Sequence, residues 1–272
     1  MKNLNKIIFV IALSLLYSTS YSQIRVENDV VYATVRDNQN KAIPLKLDIY
    51  APVHVQEEKI PVVILVHGGG FAMGDKQQKL YIEMAYRFAR ENYLVLSVNY
   101  RLKSKKEPFS KELLDRAVSD VNSAIRWIVK NKKKYNADVA RVLICGDSAG
   151  GALVVNTVFQ EKPPVNFIGC IDLWGGLPDY GLPGTENWDE PIDKYLNLKG
   201  KLMPVCIVHG TADSVIPYQT SLNFEKNLLR HDIRCEFHLL RDAGHYPEER
   251  SEEFIELIFA FADKIMSYKP VR

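Results

Sequence analysis

The sequence predicts an α/β protein, a mostly parallel, twisted sheet with helices on both faces. Two observations carry that prediction. Short apolar runs such as "VVILV" (Val62 to Val66) lack polar alternation, as strands buried on both faces do. Between such runs lie longer stretches with helical periodicity, which implies βαβ crossovers.

Taken in order, Val30 to Val35 and Leu45 to Tyr50 read as a strand pair, the second with clean alternation, so one edge of the sheet is expected to be antiparallel. A buried strand follows from Pro61. Lys76 to Glu91 places Leu80, Met84 and Phe88 on one helical face, and Tyr93 to Tyr100 is again a strand. A long helix is predicted from Glu112 to Tyr135, then a strand at Val142 to Cys145 and a helix opening at Ser148. Strands at Val165 to Trp174 and Met203 to Gly210 come next, with a helix at Tyr218 to Leu229. A strand at Arg234 to Leu240 and a helix at Glu252 to Met266 close the chain. One segment breaks this rhythm. Gly175 to Lys201 is rich in Gly, Pro, Asp, Asn and Trp, with a short helix-like stretch near Asp189 to Leu198. It leaves the carboxyl end of a predicted strand, the side on which ligands bind in such sheets.

The chain has 272 residues, 47% of them hydrophobic, with a formal net charge of +2. That is enough material for a sizeable core. The near balance of charge argues against nucleic acid as a partner. The basic run Lys130 to Tyr135 reads as a solvated helix terminus, its cations complementing the helix dipole. Residues 1–22 have the layout of a secretory signal peptide: two lysines, an apolar run of about ten residues, and small residues at Ser20 and Ser22. Cleavage near Ser22 is expected to release an exported protein without a stable membrane span, residues 23–272 forming the catalytic domain. The alternative is an uncleaved N-terminal anchor. Cys145, Cys170, Cys206 and Cys235 each lie in or beside an apolar run and match no zinc spacing. They are expected to be free buried thiols, with one bridge between adjacent strands as the alternative, and no metal site is expected.

Chemistry concentrates at "GDSAG", Gly146 to Gly150. The G-x-S-x-G pattern alone is weak, since chance gives about 0.1 matches in a chain of this length. Its setting strengthens it, because a buried strand runs into it and a small-residue helix follows, the context of a nucleophile elbow. A serine hydroxyl needs a base to take its proton and a carboxylate to orient that base. Asp213 and His245 each follow a predicted strand end, as Ser148 does, in the order Ser, Asp, His. Asp242 is an alternative carboxylate, and Asp147 is read as supporting the loop. His67 and His209 end strands before a glycine and are read as loop braces. His54, His231 and His238 are read as surface or strand residues. "HGGGF" (His67 to Phe71) lacks the Lys-Ser/Thr of a phosphate-binding loop. Its glycines suit an oxyanion hole, with donors expected at Gly69, Gly70 and Ala149.

On "HGGGF", "VNYRL" (Val98 to Leu102), "GDSAGG" (Gly146 to Gly151), "HGTAD" (His209 to Asp213) and "AGH" (Ala243 to His245), the chain resembles the α/β-hydrolase superfamily. Within it, the likeness is to carboxylesterases similar to hormone-sensitive lipase and to bacterial feruloyl and acetyl esterases. The resemblance implies an eight-stranded sheet, a serine-esterase mechanism and no cofactor. It places the nucleophile on Ser148, the acid on Asp213 and the base on His245. One departure stands out. About twenty residues separate the cleavage site from the second strand, too few for the family's usual N-terminal helical cap. Covering must then come from a small cap insertion at about 175–201, after strand 6. An open site of that kind suits short acyl esters, acetyl or feruloyl, on a small molecule or a plant polysaccharide. Trp174 and Trp188, with Tyr180, are candidates to stack on the substrate, or else to pack the insertion's own small core. Two rivals remain, a serine peptidase of the same fold and a catalytically silent binding protein.

Overall fold

The computed structural model describes residues 23–36, 40–53, 58–104, 106–175, 192 and 196–267. The residues of the expected signal peptide, most of the 175–201 insertion, His54, Tyr180 and Trp188 lie outside them. Eight strands form one sheet: β1 (Ile24–Arg36), β2 (Ala42–Pro52), β3 (Ile60–Val66), β4 (Leu94–Val98), β5 (Ala137–Asp147), β6 (Phe167–Leu173), β7 (Val205–Gly210) and β8 (Cys235–Leu240). Their spatial order is β1-β2-β4-β3-β5-β6-β7-β8. β1 pairs with β2, and β2 with β4, antiparallel, while every other pairing is parallel. The mostly parallel sheet with one antiparallel edge is as the sequence predicts.

Among the described residues, five α-helices cover the sheet: α1 (Lys79–Arg90), α2 (Lys111–Asn131), α3 (Ala149–Val158), α4 (Gln219–Arg230) and α5 (Ser251–Ser267). Alternation along β3 explains the two layers. Val62, Ile64 and Val66 face a core that includes residues of α2, α3 and α4, while Val63 and Leu65 face one that includes α1 and α5. All five are fully buried. Each such side chain contributes about 1.5–3 kcal/mol by leaving water, so the run has no room for polar alternation. Helix starts follow local chemistry where it is available: Ser110 caps α2 by accepting from the Leu113 N–H at 3.2 Å.

The far end of the 175–201 insertion is tied down. Ile192, Leu196 and Leu198 are buried in the same core as Phe159 and Phe224. The Asn197 N–H donates to the Phe159 carbonyl at 2.7 Å, and the Ile192 N–H to Asn227 Oδ1 on α4 at 3.4 Å.

The four cysteines are free, as expected. The register explains why no neighbouring pair bridges. Cys145 on β5 is level with Ile171, and Ile171 with Cys206, whereas Cys170 is level with Val205, and Val205 with Cys235. Cysteines on adjacent strands are therefore one residue out of step and point to opposite faces.

Candidate active site

Ser148, Asp213 and His245 sit just past the ends of β5, β7 and β8, three parallel strands whose carboxyl ends share one rim. The elbow at Ser148 is tight. A Cβ on Gly150 would lie 2.7 Å from the His67 carbonyl oxygen and closer still to that of Val66. Only glycine lets α3 start against the end of β3. Ser148 itself has φ +50° and ψ −119°, a region that costs of order 1–3 kcal/mol for a residue with a side chain. The surrounding bonds hold it there: its N–H donates to the Leu173 carbonyl at 2.9 Å.

His245 Nε2 lies 2.9 Å from Ser148 Oγ, and its Nδ1 lies 2.7 Å from Asp213 Oδ2. A carboxylate only accepts, so Nδ1 carries the proton and Nε2 is free to accept from the serine hydroxyl. The other Asp213 oxygen accepts from the N–H groups of Val215 (2.8 Å) and Ile216 (2.9 Å). Burial pushes the Asp213 carboxyl up, but His245 and the Ile216 and Val215 N–H groups outweigh it and hold the group below the usual carboxylate range. The carboxylate is thus ionised and aimed at His245. Asp242 is exposed and pairs with Arg241 at 3.6 Å, so the alternative carboxylate is not the one that meets the histidine.

The "HGGGF" loop is fastened to the elbow. The Gly68 N–H donates to Asp147 Oδ1 at 2.7 Å, and a Cβ on Gly68 would lie 2.7 Å from Asp147 Oδ2. Tyr81 on α1 donates its hydroxyl to the same carboxylate, and the Asp147 N–H donates to that hydroxyl at 3.2 Å. Asp147 supports the loop, as the sequence suggests; Tyr81 is a partner that sequence reasoning missed. Gly69 takes φ +111° and Gly70 φ +59°. Among the described residues, the N–H groups of Gly69, Gly70 and Ala149 donate to no protein acceptor. Beyond the loop, buried Lys76 pairs with Asp48 at 2.9 Å and Asp29 at 3.2 Å, pinning the segment to β1 and β2.

His67 braces its loop, stacked on Tyr100 at 4.5 Å with Nδ1–H donating to the Gly68 carbonyl at 2.8 Å. Trp174 needs correction. It is fully buried, packed edge-on against Phe254 of α5 (5.1 Å), rather than offered to a substrate. Its backbone N–H donates to the Val208 carbonyl at 2.7 Å and its φ is +39°, which leaves the indole in the core between sheet and α5. Trp188 lies outside the described residues. Among the described residues, Tyr246, next to His245, is an exposed aromatic, its ring 6.0 Å from that of Trp174.

Carboxylesterase NlhH of Mycobacterium tuberculosis is 30% identical over 224 residues, covering 74% of this chain and 66% of its own. A thermophilic esterase from Thermogutta terrifontis, butyrate bound, superposes with a TM-score of 0.70 at 23% identity, over 94% of this chain and 98% of its own. The chain belongs to the α/β-hydrolase superfamily, and the relatives it matches are named esterases. Residues 47–162 match the BD-FAE family model, and residues 178–268 match that of the prolyl oligopeptidase family. The BD-FAE match holds Ser148 and the "HGGGF" loop; the other holds Asp213 and His245. Esterase LipI of M. tuberculosis is 32% identical over 157 residues. The chain spans 46% and 66% of the lengths of LipI and NlhH. A truncated carbohydrate esterase from gut microbiota has the same fold, at a TM-score of 0.70 and 17% identity. Among the described residues, no helix is long and apolar enough to cross a membrane, and no cluster of side chains is grouped to hold a metal ion.

Proposed function

We propose that the protein is a serine carboxylesterase. The observation that carries this reading is the unbroken line from Ser148 Oγ through His245 to Asp213, at 2.9 and 2.7 Å. His245 Nε2 takes the Ser148 proton as Oγ attacks the ester carbonyl, and Asp213 stabilises the imidazolium that forms. The tetrahedral oxyanion is received by the N–H groups of Gly69, Gly70 and Ala149, each such donor contributing about 3 kcal/mol. His245 then protonates the leaving alcohol. Water, deprotonated by the same imidazole, attacks the acyl-enzyme and frees Ser148. The cycle needs no cofactor.

The substrate assigned is a short acyl ester, acetyl or feruloyl, carried on a small molecule or a plant polysaccharide. The signal-like layout of residues 1–22, which goes with export and cleavage near Ser22, supports it. The test is release of acid from acetylated xylan, methyl ferulate and p-nitrophenyl esters from acetyl to dodecanoyl, by the mature protein beside Ser148→Ala. Turnover is expected on short esters, with a loss of about a thousandfold or more in the variant. A ranking that rises toward dodecanoyl esters and leaves acetylated xylan untouched overturns the substrate assignment.

A second reading, a peptidase, is favoured by the prolyl oligopeptidase match over residues 178–268. It predicts that a peptide amide is turned over faster than an ester by the same preparation.

A further inference from the structure

His209 does more than brace a loop. It is the penultimate residue of β7, fully buried, and both ring nitrogens are engaged. Nδ1 lies 2.7 Å from Ser221 Oγ on α4, while Nε2 lies 2.9 Å from the Ile216 carbonyl oxygen and 3.1 Å from Asp213 Oδ2. A carbonyl and a carboxylate only accept, so the proton sits on Nε2 and Nδ1 accepts from the Ser221 hydroxyl. Burial holds the imidazole below its usual range and so neutral. The oxygen that His209 reaches is the one that also accepts from His245. One line of hydrogen bonds therefore runs Ser221, His209, Asp213, His245, Ser148.

We propose that His209, held in one tautomer by Ser221, is a positioning residue for the ester hydrolysis. Its Nε2–H stops the Asp213 carboxylate from turning and draws charge away from the oxygen that serves His245. This inference rests on the esterase reading of Ser148, Asp213 and His245. The physical consequence has a sign. Without the second donor, Asp213 Oδ2 is more negative, it stabilises the His245 imidazolium more strongly, and the base titrates at higher pH. Asp147, at the end of β5, also interacts with the His245 charge, and these changes leave it in place.

The experiment compares wild type with His209→Leu, His209→Gln, Ser221→Ala and the His209→Leu/Ser221→Ala double variant. Two readouts are used: the pH profile of kcat/KM on a p-nitrophenyl ester, and the NMR titration midpoint of the His245 imidazole. In His209→Leu both the acid limb and the midpoint are expected to rise by about half to one pH unit, with kcat lower by about 10- to 100-fold and KM little changed. His209→Gln, whose amide N–H reaches toward the same carboxylate, is expected to rescue the midpoint. Ser221→Ala is expected to shift it in the same direction by less, and to add nothing on top of His209→Leu. Folded variants with a lowered Tm but an unmoved limb and midpoint overturn the inference and leave His209 a brace. If His209→Leu does not fold, Ser221→Ala decides by the same midpoint. If the wild type hydrolyses no ester, the esterase reading falls, and the midpoint still decides whether His209 controls the pair.

Discussion

Asp172 lies on β6, its carboxyl buried against Gly151 and Gly175, whose missing side chains leave it room. One oxygen has no hydrogen-bond partner among the described residues, and the Gly175 N–H is a donor to the group. Burial raises its pKa from 3.8 to about 7. In the unfolded chain the group ionises near 3.8, so the folded protein holds an extra proton between those values. Stability therefore falls as pH climbs through that window, by up to about 4 kcal/mol once the group is charged in both states. Asp172→Asn keeps the shape and abolishes the charge. Thermal melts are expected to show the variant more stable than wild type at about pH 8 and nearly equal to it at about pH 4. An equal difference at both pH values would place the group's folded pKa near its ordinary value.

At the scale of elements, the strand–turn–helix unit β5–α3 depends on backbone approaching backbone. The start of α3 lies against the end of β3 because position 150 carries no side chain. Neither obstacle, the Val66 nor the His67 carbonyl, belongs to a side chain that can swing away. Gly150→Ala is therefore expected to push the first turn of α3, with its Ala149 N–H, away from the "HGGGF" loop. Overpacking of this kind costs about 1–3 kcal/mol of stability, and a displacement of about 1 Å at the reacting groups costs about a hundredfold in kcat. Urea melts and ester turnover on one preparation check both. A variant with wild-type kcat would mean that the elbow tolerates a looser fit.

Across the whole molecule, two cores on either side of one sheet hold the described residues together, and no covalent link assists them. Cys145 and Cys206 share a face but sit two strands apart, about 10 Å at ordinary strand spacing and too far for a disulfide. Burial raises the Cys206 thiol beyond the usual cysteine range and that of Cys235 to about 12, so neither is a ready thiolate. The melting temperature is expected to be the same with and without reductant, with four thiols titrated after unfolding. A drop in Tm on reduction would mean that the sheet register differs from the one described.

Element type and order were legible in the sequence because they depend on local patterns. Short non-alternating apolar runs bounded by turn residues read as buried strands, and Gly-x-Ser-x-Gly between a strand and a small-residue helix reads as an elbow. Ser148, Asp213 and His245 were legible for the same reason, each lying just past a strand end. The tertiary structure alone decided which groups meet. It set the strand order, turned Asp213 and not Asp242 toward His245, and brought Tyr81 to Asp147 across 66 positions. It also gave Asp213 a second histidine and drew Trp174 into the core, away from the site assigned to it. Hydrophobic period and turn chemistry are properties of neighbours along the chain. A shared hydrogen-bond acceptor is a property of neighbours in space, and only the packed sheet brings those together.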